Sequence, residues 1–139
     1  MTLELYAQPF FASGHYAQFK EFRAPRQGQF NVYGTDIGTV ATVLDSLGAI
    51  AKYTIDPDGS GPSSAFTFQN PDYTQRSLRG NAVFRWEYRP GSVLYLAWTH
   101  SRFDSDHEGT LDLSRERTAL LASHPNNIFL VKASWWIPR

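Results

Sequence analysis

The sequence has no cysteine, no long apolar run and comparatively few charges. The lack of cysteine excludes disulfide bridges, thiolate metal ligands and a cysteine nucleophile. No run of about 18 apolar residues occurs, which excludes a membrane-spanning helix but not a β-barrel. Charged residues make up 19% of the chain, below the roughly 25% of an average soluble domain, whereas aromatic residues reach 15%. This balance favours β structure, a membrane surface or a binding face.

The charges also balance in sign. Thirteen basic residues face thirteen acidic ones, so no overall field draws the chain to nucleic acid, and we expect no nucleic-acid partner. The first residues carry neither a basic segment nor an apolar one, so no signal peptide is expected within this sequence.

Alternating hydrophobicity is the main structural signal, and it is clearest over residues 77–88. Leu78, Phe84 and Trp86 share one face of this predicted strand, while Arg79 and Arg85 lie on the other. Three more long strands are predicted over residues 2–13, 92–103 and 127–137. Each is long enough to cross a bilayer, because a tilted spanning strand needs about 9–11 residues.

Shorter elements and loops complete the pattern. The sequence predicts short strands over residues 30–33, 49–55 and 65–68, helical turns over 40–47 and 114–122, and long loops over 14–28, 56–64 and 104–126. Arg89-Pro90-Gly91 predicts a tight reversal. Short turns on one side and long loops on the other are typical of outer-membrane barrels.

We therefore predict an all-β chain, a single domain over residues 1–139. It forms an antiparallel up-and-down meander, the C-terminal part of an outer-membrane-type β-barrel. Single-chain barrels begin at eight strands, so four long strands cannot close one. The chain is then a fragment, or a homo-oligomer, or the alternative: a small soluble β-barrel or sandwich. In a barrel, the charges of Arg79, Arg85, Glu87 and Lys132 would face the lumen, because arginine or lysine facing lipid costs about 2–4 kcal/mol near the midplane.

Aromatic residues support the same prediction. Trp86, Tyr88 and Tyr95 lie near the tight turn and would form one interfacial girdle, with Trp98, Trp135 or Trp136 in the other. In a soluble sandwich the same aromatic residues would be ordinary core residues.

Several sequence blocks resemble a family. The blocks RSLRGNAVFRWEYRPGS and NIFLVKASWW, with the opening LELYAQPFFASGHYAQFKEF, resemble the uncharacterised bacterial barrel domain that follows a carbohydrate-binding family-nine-like domain in large exported proteins. The resemblance implies an outer-membrane or cell-envelope location, with outer-membrane lipid as a partner. It implies no established activity. Binding or passage of carbohydrate is a hypothesis that rests only on the neighbouring carbohydrate-binding-like domain in those proteins.

One candidate metal site starts at Asp56. Asp56, Asp58 and Ser60 place oxygen atoms at relative positions 1, 3 and 5, with glycine at position 6, as in the start of an EF-hand calcium loop. Thr67 at position 12 cannot supply the bidentate carboxylate. A glycine-rich turn between strands, with no cofactor, is therefore the favoured interpretation, and a calcium site is the alternative.

A candidate catalytic cluster comprises His100, Asp104, Asp106 and His107. Imidazole and carboxylate groups this close in sequence can hold a divalent metal or act as an acid–base pair. As a site they would make the chain a hydrolase of glycosidic or ester bonds, but a solvated polar loop is the favoured interpretation of these residues.

A third hypothesis is a soluble β domain that binds carbohydrate or another ligand through exposed aromatic residues. Trp98, Trp135 and Trp136 are the candidate ligand-binding residues. Of the three hypotheses, the non-enzymatic barrel segment is favoured.

Overall fold

A computed structural model describes residues 1–24, 26 and 28–137. It contains nine strands and one short helix: β1 (Thr2–Gly14), β2 (Lys20–Phe22), β3 (Phe30–Val32), β4 (Thr39–Leu44), β5 (Ile50–Asp56), β6 (Phe66–Gln69), β7 (Tyr73–Arg89), β8 (Ser92–Asp106), α1 (Leu113–Ala122) and β9 (Asn126–Ser134). The predicted all-β, antiparallel class is confirmed.

The chain forms two compact units. Unit 1 comprises Met1–Ser13 and the described residues from Tyr73 onward, and unit 2 comprises Gly14–Asp72. Unit 1 holds a four-stranded sheet in the order β1-β7-β8-β9 together with α1, and unit 2 holds the sheets β2-β3 and β4-β5-β6. Within residues 1–24, 26 and 28–137, none of these sheets closes into a barrel.

The long strands of unit 1 confirm the predicted alternation. β7 and β8 pair antiparallel from Thr74 opposite Asp106 down to Arg89 opposite Ser92, and β9 continues the meander on β8. Pro90 and Gly91 make the tight turn, where Gly91 has φ +76°. Pro9 lies in β1, the edge strand of the sheet, where a missing backbone donor is tolerated.

Helix α1 confirms the helical segment predicted near 114–122. Asp112 is its N-cap: the carboxylate accepts hydrogen bonds from the backbone N–H groups of Ser114 and Arg115. The helix ends at Ser123, whose N–H donates to the Ala119 carbonyl. Glu116 and Leu120 are its buried residues, so one side of α1 packs against the rest of unit 1.

Unit 2 has a small aromatic core of its own. The rings of Phe19, Tyr53 and Phe68 lie 4.8–5.8 Å apart, and Tyr53 and Ile55 of β5 are buried. Burial is the main cause that raises the pKa of the Tyr53 phenol, and the nearby Asp72 carboxylate adds to it. The buried hydrophobic residues of unit 2 in its described part thus lie on β5.

Two local predictions in unit 2 were wrong. Residues 40–47 were expected to form a helical turn, but Thr39–Leu44 is strand β4, which pairs with β5. Four of its six residues are β-branched and prefer strands. The predicted loop over 14–28 contains strand β2, a segment too short for alternation to reveal.

Candidate functional site

One face of the sheet of unit 1 is apolar over the half of the strands that lies toward the β7–β8 turn. Register places Phe84 of β7 opposite Leu96 of β8, and Trp98 opposite both Ala82 and Phe129. Leu3 and Leu5 of β1 line surface grooves together with Trp98, so they lie on the same face of the sheet as Trp98. We call Leu3, Leu5, Phe84, Leu96, Trp98, Phe129 and Val131 the apolar face.

This face is largely uncovered. Leu5 is 74% exposed, Phe129 73% and Val131 69%. In the described part of unit 1, Leu120 of α1 is the only buried hydrophobic residue, so the sheet encloses almost no core. Soluble monomeric proteins rarely expose a contiguous apolar patch larger than a few hundred Å².

The opposite side of the sheet is the polar face. Side chains alternate between the two faces along each strand, and residues paired across strands share a face. Arg79 lies opposite Ser101, and Tyr95 lies opposite both Arg85 and Lys132. The polar face therefore carries four charged residues: Arg79, Arg85, Glu87 and Lys132. Arg85 donates from Nε to the Tyr95 hydroxyl at 3.0 Å and lies 3.9 Å from Glu87. The four predicted lumen-facing charges therefore share one face.

Both edges of the sheet are open. In the portion of the chain that the structure describes, β1 pairs only with β7, and β9 only with β8. β9 is also exposed along its whole length. Open edges expose unpaired backbone groups that need a partner strand or water.

A charge cluster joins α1 to the sheet. Arg76 of β7 is 3% exposed and binds three carboxylates: Asp104 at 2.7 Å, Asp106, and the fully buried Glu116 of α1. Arg115 adds a second guanidinium on Glu116 at 2.8 Å and reaches Glu108 at 2.9 Å. We call Arg76, Asp104, Asp106 and Glu116 the Arg76 cluster.

A second connection reaches the other end of α1. Arg102 donates from Nη1 to the carbonyls of Leu121 and, at 2.8 Å, Ser123. The last turn of α1 contains no basic residue, so Arg102 supplies the positive charge that a helix C-terminus favours. Two arginines of the sheet, Arg76 and Arg102, thus hold the two ends of α1.

The candidate catalytic residues do not converge. Asp104 and Asp106 are ion-paired to Arg76, whereas His100 hydrogen-bonds Asn127 through Nδ1 at 2.7 Å and accepts from Arg102 Nε at 3.2 Å. This bonding pattern assigns the hydrogen of the His100 ring to Nδ1. His107 lies exposed beyond the strand end.

The geometry of β8 keeps the candidate catalytic residues apart. His100 and Asp104 point to the same face but are four residues apart, about 13 Å along a strand. Arg102 stands between them. Nothing in the sequence marked Arg76, because its role depends on Glu116, forty positions away, folding back onto β7.

The three candidate tryptophans are also separated. Trp98 stacks on Phe129 with ring centroids 6.3 Å apart, in the middle of β8. The backbone N–H of Trp136 donates to Ser92 Oγ at 3.0 Å, at the β7–β8 turn. Six residues of strand, roughly 20 Å, separate the two positions.

The structure places three of the aromatic residues of the predicted girdles differently from the prediction. Trp135 follows β9 directly and Trp136 lies at the turn, so both belong to the end that holds Trp86 and Tyr88, not to the opposite end. Tyr95 points to the polar face beside Arg85, away from Trp86. One aromatic group, Trp86, Tyr88, Trp135 and Trp136, therefore occupies the turn end of the sheet.

Asp56, Asp58 and Ser60 lie in the turn between β5 and β6. Asp56 Oδ1 accepts from the N–H of Gly59 at 2.9 Å, and Asp58 Oδ2 accepts from the N–H of Ser63 at 2.9 Å. That last bond holds the pKa of Asp58 below its usual value. Both carboxylates therefore accept hydrogen bonds from the backbone of the turn itself. Among the residues the structure describes, no group of three His, Cys, Asp or Glu side chains is arranged to hold a metal ion.

One polar pair went unnoticed in the sequence. His15 Nδ1 lies 2.8 Å from Asp72 Oδ2, and Asp72 Oδ1 also accepts from the N–H of Tyr16 at 2.7 Å. Asp72 is buried, while the His15 side chain is 60% exposed. The pair fastens the two ends of unit 2, which are 57 residues apart in sequence.

Comparisons of this chain with family models, with curated proteins and with solved structures find no match. Among the described residues, no helix combines the length and the apolar character needed to cross a bilayer.

Proposed function

We propose that unit 1 is a wall segment of an outer-membrane-type β-barrel, with its apolar face toward lipid and its polar face toward an aqueous interior. The observation that carries the proposal is the exposed apolar face on a sheet that buries one hydrophobic residue in its described part. A soluble domain of this length would bury a core of its own. Lipid is the partner that removes Leu5, Phe129 and Val131 from water.

The strand connections and lengths support the same proposal. β7 and β8 have 17 and 15 residues, enough to cross a bilayer at a tilt. They meet in a tight turn at Pro90-Gly91, whereas the chain from β8 to β9 makes a long excursion that contains α1. The aromatic group at the turn end then lies at one membrane interface.

The open edges require partners in this arrangement. An unpaired backbone group in lipid costs several kcal/mol, so β1 and β9 would pair with strands of further copies or of additional chain. The polar face, with Arg79, Arg85, Glu87 and Lys132, would line the path of a polar ligand. The family resemblance points to the same location in the outer membrane.

The natural lack of cysteine allows a direct test. Leu96 and Ala97 are neighbours in β8 that point to opposite faces, so single variants Leu96→Cys and Ala97→Cys form a matched pair. Each is labelled with a small fluorophore in membranes from expressing cells. We expect brominated lipid to quench the probe at position 96, and aqueous iodide to quench the probe at position 97. Equal iodide quenching at both, with none from lipid, would overturn the proposal and favour a soluble β domain.

A further inference from the structure

The polar face carries a cleft of about 720 Å³ near the end of the sheet that holds α1. All four strands contribute to it. Ser77 and Arg79 come from β7, Ser101 and Phe103 from β8, and Phe10 and Asn126 from β1 and β9. The cleft is a property of unit 1 alone and lies on the face opposite the apolar one.

Arg79 is the unusual residue of this cleft. Two other arginines of β7 are engaged: Arg76 binds three carboxylates, and Arg85 binds Tyr95 and Glu87. The side chain of Arg79 makes no hydrogen bond or ion pair with any residue that the structure describes. A guanidinium carries five donors in a fixed planar fork that matches a carboxylate.

The remaining lining selects the sign of a ligand. Arg102 and His124 also line the cleft, and the Arg102 guanidinium donates to the carbonyls of Leu121 and Ser123. No aspartate or glutamate is among the lining residues, so no protein carboxylate competes for Arg79. The hydroxyls of Ser77 and Ser101 and the amides of Gln8 and Asn126 add neutral donors and acceptors. An anionic group seated on Arg79 would find hydrogen-bonding partners on both sides.

Two phenylalanines complete the site. Phe10 is 52% and Phe103 63% exposed, although both lie on the polar face. Binding sites for small molecules combine such aromatic walls with a few placed polar groups. A sugar ring has C–H surfaces that pack on phenyl rings and hydroxyls that bond to serine and amide groups.

From this combination we propose that the cleft binds a carboxylate-bearing sugar, with the carboxylate on Arg79 and the ring between Phe10 and Phe103. The inference goes beyond the barrel proposal and does not depend on it. The cleft is formed by the polar face whatever covers the apolar one.

The test measures calorimetric binding of glucuronate oligomers and of matched neutral glucose oligomers to the purified chain. We expect the acidic sugar to bind at least about tenfold more tightly, and Arg79→Gln to remove that preference, since hydrogen bonds to a charged group contribute this much. Arg85→Gln, on the same strand and face but outside the cleft, is the matched control and keeps the preference. Because Arg79 is exposed and unbonded within the described structure, Arg79→Gln should leave the circular dichroism spectrum unchanged.

A second variant separates the sugar from its charge. Phe103→Ala should weaken both oligomers, while acetate alone should compete only in the presence of Arg79. Equal affinity for acidic and neutral oligomers, no binding of either, or full retention by Arg79→Gln would each overturn the inference. Acid-selective binding by a chain that fails the lipid-quenching test would sink the barrel proposal and leave this site standing.

Discussion

Arg76 of β7 and Glu116 of α1 form an ion pair in which the side chains are 3% and 0% exposed. Burial of two charges is costly unless each keeps good partners, and here Asp104, Asp106 and Arg115 supply the rest. The pair holds the long loop between β8 and β9 against the sheet. α1 is therefore an anchored part of unit 1.

Removal of Arg76 should be strongly destabilising. Arg76→Met leaves the buried Glu116 with Arg115 alone, and we expect a loss of about 3–5 kcal/mol in the free energy of unfolding. The double variant Arg76→Met/Glu116→Gln should lose less than the sum of the single changes, with a coupling of about 1–3 kcal/mol. Chemical denaturation measures all three.

The matched control for that cycle is Arg117→Met, an exposed residue of the same helix. Its effect should stay within about 0.5 kcal/mol. Strict additivity of the Arg76 and Glu116 changes would contradict the pairing.

The long elements were predictable, and the Arg76 cluster was not. Alternation over residues 77–88 identified β7, but the strand begins earlier, at Tyr73, where Thr74 and Arg76 pair with acidic residues of β8. Hydrophobic and polar residues do not alternate at these polar positions. The sequence pattern therefore covers only the later part of β7 and misses its first residues. The cluster depends on tertiary contact between residues 76 and 116, which no local pattern encodes.

The two faces of the sheet were predictable for a different reason. Side chains alternate strictly along a strand, so once β7, β8 and β9 are in register, every residue has its face assigned. The position of Trp135 and Trp136 was mistaken because strand direction and the length of β9 decide which end of the sheet they reach. That information comes from pairing and not from composition.

The N-cap of α1 should titrate at low pH. Hydrogen bonds from the backbone N–H groups of Arg115 and Ser114 hold the pKa of Asp112 below its ordinary value. A pKa depressed by folding means that the cap stabilises the helix fully above the unfolded pKa of about 3.9, and that this stabilisation is lost as pH falls through the folded pKa. Carbon-13 NMR of the Asp112 carboxyl should show its midpoint below about 3.9.

Asp112→Asn is the control, because asparagine caps a helix as well as aspartate but does not ionise. The difference between wild type and Asp112→Asn in hydrogen exchange at Ser114 should disappear above pH about 5 and grow in acid. A carboxyl midpoint at or above the unfolded value would show that the cap bonds are absent in solution.

Gly38 should not tolerate a side chain. It has φ +57°, and an added Cβ would collide with the carbonyl oxygens of Asp56 and Pro57 at the end of β5. Gly59 has φ +72° but open space around it, so Gly59→Ala isolates backbone strain of about 1–2 kcal/mol. We expect Gly38→Ala to cost more than about 2 kcal/mol and to speed hydrogen exchange in β4. Equal effects of the two variants would contradict this close approach.

A lysine scan of one strand should separate lipid from water as the cover of the apolar face. Leu130 and Val131 are neighbours in β9, both exposed, and they point to the polar and apolar faces respectively. Near a bilayer midplane, Val131→Lys should cost about 2–4 kcal/mol, because the ammonium group loses its hydration. Leu130→Lys, facing the aqueous side, should cost clearly less. Both are measured by denaturant unfolding from lipid vesicles. If Val131 instead faces water, its lysine variant stays hydrated and the two variants unfold at the same denaturant concentration, which would contradict the membrane-facing assignment.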